Sequence, residues 1–364
     1  MNPIAVFRVD ASVLIGTGHL MRCLTLAKAL KVEKVESYFI CRDLPGNLIP
    51  YLEAEGFKVY KLPYSVSDQG VQITENPYEQ WLGECYQKEI EQAAEVLKSF
   101  SRIDILIIDH YAIEKKWELM ARVYAKKILV IDDIANRLHD CDFLLDQNLS
   151  NPLQDRYRKL APKNCCLLLG SQYALLRAEF LTTRLKTIKQ FGELKHIFLF
   201  MGGSDLDNMT SMVLTALLEL NFTGEVEVVI GSQNKAKEEI KAVCQKHSNF
   251  HFYCQVNNLA ELMSQADLAI CASGTTTWER CCIGLPGLVI TTAENQEHIA
   301  EKLQQLGIDF YVGKSKEITI NRFIKKLNFA FSNKDEVKRM SKVMMNLVDG
   351  NGAKRVIEKT LIER

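Results

Sequence analysis

Residues 4–28 read IAVFRVDASVLIGTGHLMRCLTLAK, and three local patterns follow one another there. Ile4-Ala5-Val6-Phe7 is a short apolar, β-rich run of the length expected for a buried strand. After a polar turn comes Gly16-Thr17-Gly18-His19. Leu20, Cys23, Leu24, Ala27 and Leu30 then recur at the i, i+3, i+4 spacing of one buried helix face. The stretch therefore predicts a strand, a glycine loop and a helix, with His19 where the helix begins. Gly16 and Gly18 let the backbone pass close to a ligand, and the first helical turn leaves N–H donors pointing outward. The positive end of the helix dipole favours the neutral imidazole, the form that a general base requires. His19 is thus a candidate catalytic base, although a βα turn with a solvated histidine fits the residues equally well. No Gly-Lys-Ser/Thr follows, which excludes a Walker loop, and Met21 stands where the dinucleotide fingerprint requires a third glycine.

The same rhythm continues along the chain. Short strands are expected at 37–41 and 57–62, a surface loop at 65–77 and a long helix at 78–99. Apolar runs ending in acids follow at 103–109, 128–133 and 141–146. Strands that alternate with helices imply a parallel α/β sheet, whose ligands gather beyond the carboxyl ends of the strands. Asp109 and Tyr111 fall on that rim with the glycine loop and are candidate substrate-binding residues, whereas Asp132 and Asp133 are expected to cap the helix that follows their strand. Residues 161–190 read as a connection between a first domain, 1–160, and a second, 191–364, whose last helix can cross back to the first.

The second domain restarts with an apolar run at 197–201 followed directly by Gly202-Gly203-Ser204-Asp205, a loop suited to holding phosphate. Strands are expected at 226–230, 250–253, 268–272 and 288–290. The third of these leads into Ser273-Gly274-Thr275-Thr276-Thr277-Trp278-Glu279, where hydroxyls and backbone donors crowd a helix start. Glu279 lies one helical turn in, within reach of ribose hydroxyls, or else it compensates the helix dipole. Asn295-Gln296-Glu297-His298 opens the next helix on the same rim.

Composition narrows the function. A length of 364 residues fits about two domains. Formal net charge is zero, so no global field draws the chain to nucleic acid or to an anionic membrane. Arg8 and Asp10 interrupt the first apolar run too early for a signal peptide, and no run is long enough to span a bilayer. Eleven cysteines without a Cys-x-x-Cys pair point to a reduced, cytoplasmic protein and not to a zinc site. Two D-x-D patterns, Asp205-Leu206-Asp207 and Asp140-Cys141-Asp142, are the alternatives that would call for a metal; Asp205 reads better as a helix cap, and no metal or other cofactor is expected.

Two domains with glycine loops at strand ends resemble the GT-B architecture of nucleotide-sugar enzymes, two Rossmann-like α/β domains facing a central cleft. The run 273–279 with Gly284-Leu285-Pro286 resembles the nucleotide site of MurG-like glycosyltransferases. The opening Phe7-Arg8-x-Asp10-x-Ser12-x-x-Ile15-Gly16-x-Gly18-His19-x-x-Arg22-Cys23-Leu24 is similar to the signature of the PseG family. Ile107-Ile108-Asp109-His110-Tyr111, Tyr173-Ala174-Leu175-Leu176-Arg177-x-Glu179-Phe180, Met201-Gly202-Gly203-Ser204-Asp205 and Asn295-Gln296-Glu297 extend the likeness over nearly the whole chain. That family hydrolyses UDP-2,4-diacetamido-2,4,6-trideoxy-β-L-altropyranose in pseudaminic acid biosynthesis, a route to cell-surface glycans and flagellin glycosylation.

The resemblance implies C1–O cleavage with inversion and without a metal. It makes His19 the base that activates water, and it sets Tyr111 and Asn295 near the reaction centre. It assigns Gly202, Gly203, Ser204, Ser273, Gly274 and Thr275 to the diphosphate and Glu279 to the uridine ribose. The expected partner is a small-molecule UDP-sugar, handled by a monomer. The alternative is an inverting glycosyltransferase in which His19 deprotonates an acceptor hydroxyl.

Overall fold

The computed structural model describes residues 2–65, 76–149, 153–187, 193–274, 276–293 and 296–362. The chain divides into two compact units, Met1–Leu175 with Asn351–Arg364, and Leu176–Gly350. Strands β1 (Ile4–Val9), β2 (Glu36–Arg42), β3 (Lys58–Leu62), β4 (Ile105–Asp109), β5 (Ile128–Ile131), β6 (Phe143–Asp146) and β7 (Cys166–Leu169) belong to the first unit. They form one parallel sheet in the order β3-β2-β1-β4-β5-β6-β7. β1 and β4 are buried on both faces, which is why they read as unbroken apolar runs. Along β1 the pleat sends Phe7 and Val9 into one core, with Leu20, Leu24 and Leu30 of the helix Gly18–Val32. Val6 goes to the opposite core, with Leu106, Ile108 and Trp117.

Arg8 lies between apolar neighbours and is wholly buried, so its charge needs partners. Its Nε donates to Glu89 Oε1 at 2.8 Å and its Nη1 faces Asp10 at 2.7 Å. Arg42 Nη2 reaches Glu89 at 2.5 Å, while the Arg42 N–H donates to Asp10 at 2.6 Å. The cluster ties β1, β2 and the helix Tyr86–Lys98 together beneath the rim that carries His19.

The second unit holds β8 (His196–Phe200), β9 (Glu225–Ile230), β10 (Phe250–Cys254), β11 (Leu268–Ala272), β12 (Gly287–Thr291) and β13 (Asp309–Lys314). Their order, β10-β9-β8-β11-β12-β13, repeats the winding of the first sheet, and all pairs are parallel. In each sheet the winding reverses beside its first strand, at β1/β4 and at β8/β11, the place where such sheets bind ligands.

The structure corrects several expectations. The helix expected over 78–99 is two pieces, a 3₁₀ turn Glu79–Leu82 and the helix Tyr86–Lys98, because Gly83 adopts a left-handed φ of 61° between them. The stretch 161–190 is more than a connection, since Cys166-Leu-Leu-Leu169 pairs with β6 as the seventh strand. β13 went unforeseen, its apolar residues being interrupted by Asp309, Gly313 and Lys314. The segment Gly352–Ile357 belongs to the first unit, where Val356 and Ile357 join the core around Leu24.

Candidate active site

The loop after β1 closes on itself. Ser12 Oγ accepts from the N–H groups of Leu14 and Ile15, and Gly16 donates to Ser12 O at 2.8 Å with a φ of 79°. A Cβ added at Gly16 or Gly18 would meet nothing within 4 Å, so both glycines border open space. Gly18 begins the helix and His19 occupies its first turn.

β4 ends on Asp109, next to β1 in the sheet, and brings a buried carboxylate under that turn. His19 Nδ1 stands 2.6 Å from Asp109 Oδ1. Arg22, one turn further along the same helix face, donates through Nε to Asp109 Oδ2 and through Nη2 to Oδ1, both at 2.6 Å. Burial by itself would raise the Asp109 carboxyl, but the Arg22 guanidinium and His19 hold it well below the usual carboxylate range. An ionised carboxylate can only accept from His19, through Nδ1–H, and in that tautomer an imidazole without a second proton carries its lone pair on Nε2. Among the described residues Nε2 has no hydrogen-bond partner. An oriented imidazole with an open Nε2 is the arrangement of a general base.

Arg22 is itself held. Its Nη1 donates to Asp133 Oδ2 at 3.0 Å, and the Tyr111 hydroxyl donates to Asp133 Oδ1. Asp109, expected as a substrate contact, is fully buried, with its oxygens taken by His19 and Arg22. Tyr111 presents its ring to His19, with centroids 4.6 Å apart and planes near perpendicular, while its hydroxyl is held by Asp133. Among the described residues no helix follows Asp132 and Asp133 for them to cap: Asp132 accepts from Ala135 N and Arg137 Nη1 in its own loop, and Asp133 accepts from Arg22 and Tyr111. Arg22 and Asp133 were missed; a signal for Arg22 was present in its i+3 spacing from His19. Tyr78 and Trp81, which pack against Tyr111, were missed with the misplaced helix.

In the second unit the loop after β8 carries Gly202, with φ 88°, and Gly203, both facing open space. The N–H groups of Gly203, Ser204 and Gly274 have no acceptor among the described residues. Gly231 packs so closely that a Cβ there would sit 2.1 Å from Gly203 O. Asp205 caps the helix Met209–Glu219 by accepting from Met209 N and Thr210 N, and Asp207 accepts from Ser315 Oγ. Asp140 and Asp142 are both bound by Arg122. Each D-x-D carboxylate therefore has a structural partner.

Ser273 follows β11 and donates its N–H to Ile290 O, and Gly274 accepts from Thr277 N to open the helix Thr276–Ile283. Glu279 Oε1 receives Arg177 Nη2 at 3.1 Å. Burial pushes the Glu279 carboxyl above its ordinary value against the pull of Arg177. Thr275 and Asn295 lie outside the described residues.

Comparisons with known proteins bear on the fold and on relatives of the chain. Residues 196–359 match the model of the glycosyltransferase family 28 C-terminal domain. The fold is GT-B-like. It is 28% identical over 306 residues to the UDP-2,4-diacetamido-2,4,6-trideoxy-beta-L-altropyranose hydrolase of Campylobacter jejuni, covering 84% of this chain and 97% of the relative. The spore coat polysaccharide biosynthesis protein SpsG of Bacillus subtilis is 23% identical over 350 residues, 94% of this chain and 93% of its own. Among solved structures, Acinetobacter baumannii MurG superposes with a TM-score of 0.66 at 14% identity, over 100% of both chains. LpCGTa in complex with UDP superposes at 0.67 with 12% identity, over 99% of this chain and 100% of its own. These two likenesses bear on the fold alone.

Proposed function

We propose that this chain hydrolyses UDP-2,4-diacetamido-2,4,6-trideoxy-β-L-altropyranose to UDP and the free sugar. His19, oriented by Asp109 with Nε2 open, is the observation that carries this reading, and the Campylobacter jejuni relative supplies the substrate. His19 Nε2 takes a proton from water as the water oxygen bonds to C1. The C1–O bond to UDP breaks with inversion, its electron pair leaving on the diphosphate, and the proton passes from His19 to solvent. Gly16 and Gly18 border the sugar, and Tyr111 and Asn295 contact it. The unpaired N–H groups around Gly203, Ser204 and Gly274, with Gly202, Ser273 and Thr275, hold the diphosphate, and fixed donors stabilise the leaving charge without reorganisation. Glu279 binds the ribose.

The testing experiment measures UDP release from this substrate with chelator present and no acceptor, for wild type and His19→Ala, while NMR follows the anomer formed. Metal-independent turnover in wild type alone supports the assignment. Turnover that persists in His19→Ala rejects His19 as base.

The family 28 domain favours one second reading, a transferase in which His19 serves an acceptor hydroxyl. A UDP-releasing reaction that starts only when an acceptor is added would select it. The proposal includes a cytoplasmic monomer, which light scattering of the purified chain tests. No described helix is long and apolar enough to cross a membrane.

A further inference from the structure

Beside His19 stands a group of aromatic side chains with no part in orienting it. Trp81 stacks on Tyr111, centroids 5.3 Å apart and planes 25° from parallel. Tyr78 packs edge-on to both, at 4.9 and 5.1 Å, and Trp81 meets the His19 ring at 5.9 Å. The turn Glu79–Leu82 is fixed from the opposite side by Leu82, which is fully buried. Asn76 holds its start, donating to Tyr111 O and accepting from Tyr78 N. Trp81 and Tyr78 are only partly buried, and neither the indole N–H nor the Tyr78 hydroxyl has a partner among the described residues. Buried indoles ordinarily find an acceptor, so an ordered, half-buried one with its donor unused is fitted for a ligand that brings both an apolar face and an acceptor.

We propose that Trp81 and Tyr78 form a specificity wall that reads the acetamido and deoxy groups of the sugar. This rests on the hydrolase reading above. A 2,4-diacetamido-2,4,6-trideoxy sugar presents three methyl groups, two on acetyl carbons and one at C6, together with amide carbonyls. A common hexose offers hydroxyls there instead. The indole face takes a methyl group and its N–H takes an amide carbonyl, so the wall admits the sugar at the base by what replaces its hydroxyls. Discrimination of this kind amounts to roughly 10- to 200-fold per methyl-sized difference.

The chain has three tryptophans, of which Trp117 and Trp278 are buried, so accessible indole emission belongs to Trp81. The test has two arms, run on wild type, Trp81→Phe and Trp81→Leu. The first compares kcat/KM for the diacetamido-trideoxy substrate with that for UDP-N-acetylglucosamine. Trp81→Leu is expected to lower the ratio by about 10- to 100-fold, chiefly through KM on the first substrate, with Trp81→Phe between. The second titrates the released diacetamido sugar into each protein and follows tryptophan emission, which should change in wild type and not in Trp81→Phe. An unchanged ratio in Trp81→Leu, in a protein that still hydrolyses the substrate, overturns the wall and leaves the hydrolase reading standing. A wild-type emission response without hydrolysis removes the hydrolase reading and keeps the sugar at Trp81.

Discussion

Asp109→Asn is the substitution that separates orientation of His19 from mere packing beneath it. Arg22 donates to both Asp109 oxygens at 2.6 Å, so an amide here must set its NH₂ against one of these donors, and with its oxygen kept on Nε the NH₂ takes the Oδ1 place that Nη2 and His19 share. Its NH₂ then faces His19 Nδ1, which must accept, and the ring proton moves to Nε2, where the lone pair is needed. Loss of a correctly placed general base is worth about 10²- to 10⁴-fold, and a thousandfold loss corresponds to about 4 kcal/mol of barrier. The expected result is a kcat lower by about 10³ with KM within about threefold, since the interaction acts in the transition state. Stability falls too. Breaking a buried ion pair costs about 3–5 kcal/mol, and the lower end applies because Asp133 still faces Arg22 at 3.0 Å. Urea titrations and steady-state UDP release on the same preparations keep the two effects apart. Combined with His19→Ala, Asp109→Asn should subtract nothing further, because it acts through the ring already removed. A folded Asp109→Asn protein with kcat within about fivefold of wild type, or a further tenfold loss in the double variant, would refute the reasoning.

His139 predicts a pH dependence of stability with a defined sign. Burial opposes its charge, but the carboxylates of Asp132, 3.8 Å from Nε2, and Glu118, 2.7 Å from Nδ1, raise it from 6.5 to about 9. That charge contributes about 3 kcal/mol, fully present below pH 6.5 and lost as pH rises through 9; urea midpoints of wild type should fall across this window and those of His139→Gln should not. Gly231→Ala would set its Cβ 2.1 Å from Gly203 O, so the loop must move, and calorimetry should show UDP bound about tenfold or more weakly, against a structural cost of about 1–3 kcal/mol; an unchanged Kd would detach that loop from the diphosphate. Glu279→Ala should weaken UDP by roughly 10- to 100-fold, as for loss of a charged hydrogen bond, while kcat at saturation holds; equal affinity would dismiss the ribose assignment.

Legibility in the sequence followed burial. β1, β4 and β11 lie inside their sheets and announce themselves as unbroken apolar runs, while β7 is a short, partly exposed edge strand and β13 mixes Asp309, Gly313 and Lys314 with its apolar residues. His19 was legible because glycine spacing, helix start and strand end coincide within a few residues. Asp133 was not, since a carboxylate just past a strand ordinarily caps a turn, and only the fold brings Arg22 across 111 residues to meet it. Trp81 was hidden differently. Its helical-looking neighbourhood concealed Gly83, whose left-handed backbone ends the turn and separates Trp81 from the next helix.

The two sheets wind alike, so the residues that end the first and fourth strands of each necessarily meet at its switch point. What differs is the chemistry at the end of the fourth strand. In the first unit β4 ends on a carboxylate, which a neighbouring arginine keeps ionised and which can only orient a proton carrier. In the second, β11 runs into Ser273 and Gly274, which carry no charge and leave the Gly274 N–H exposed, conditions that favour an anion. An Asp109→Ser exchange would therefore give the first switch point the neutral ending of the second and strand Arg22 without its main partner. A carboxylate at Ser273 would repel the diphosphate proposed for its loop. In the proposed reaction the division between base and anion site thus follows from what stands at the end of the fourth strand in two sheets of like winding.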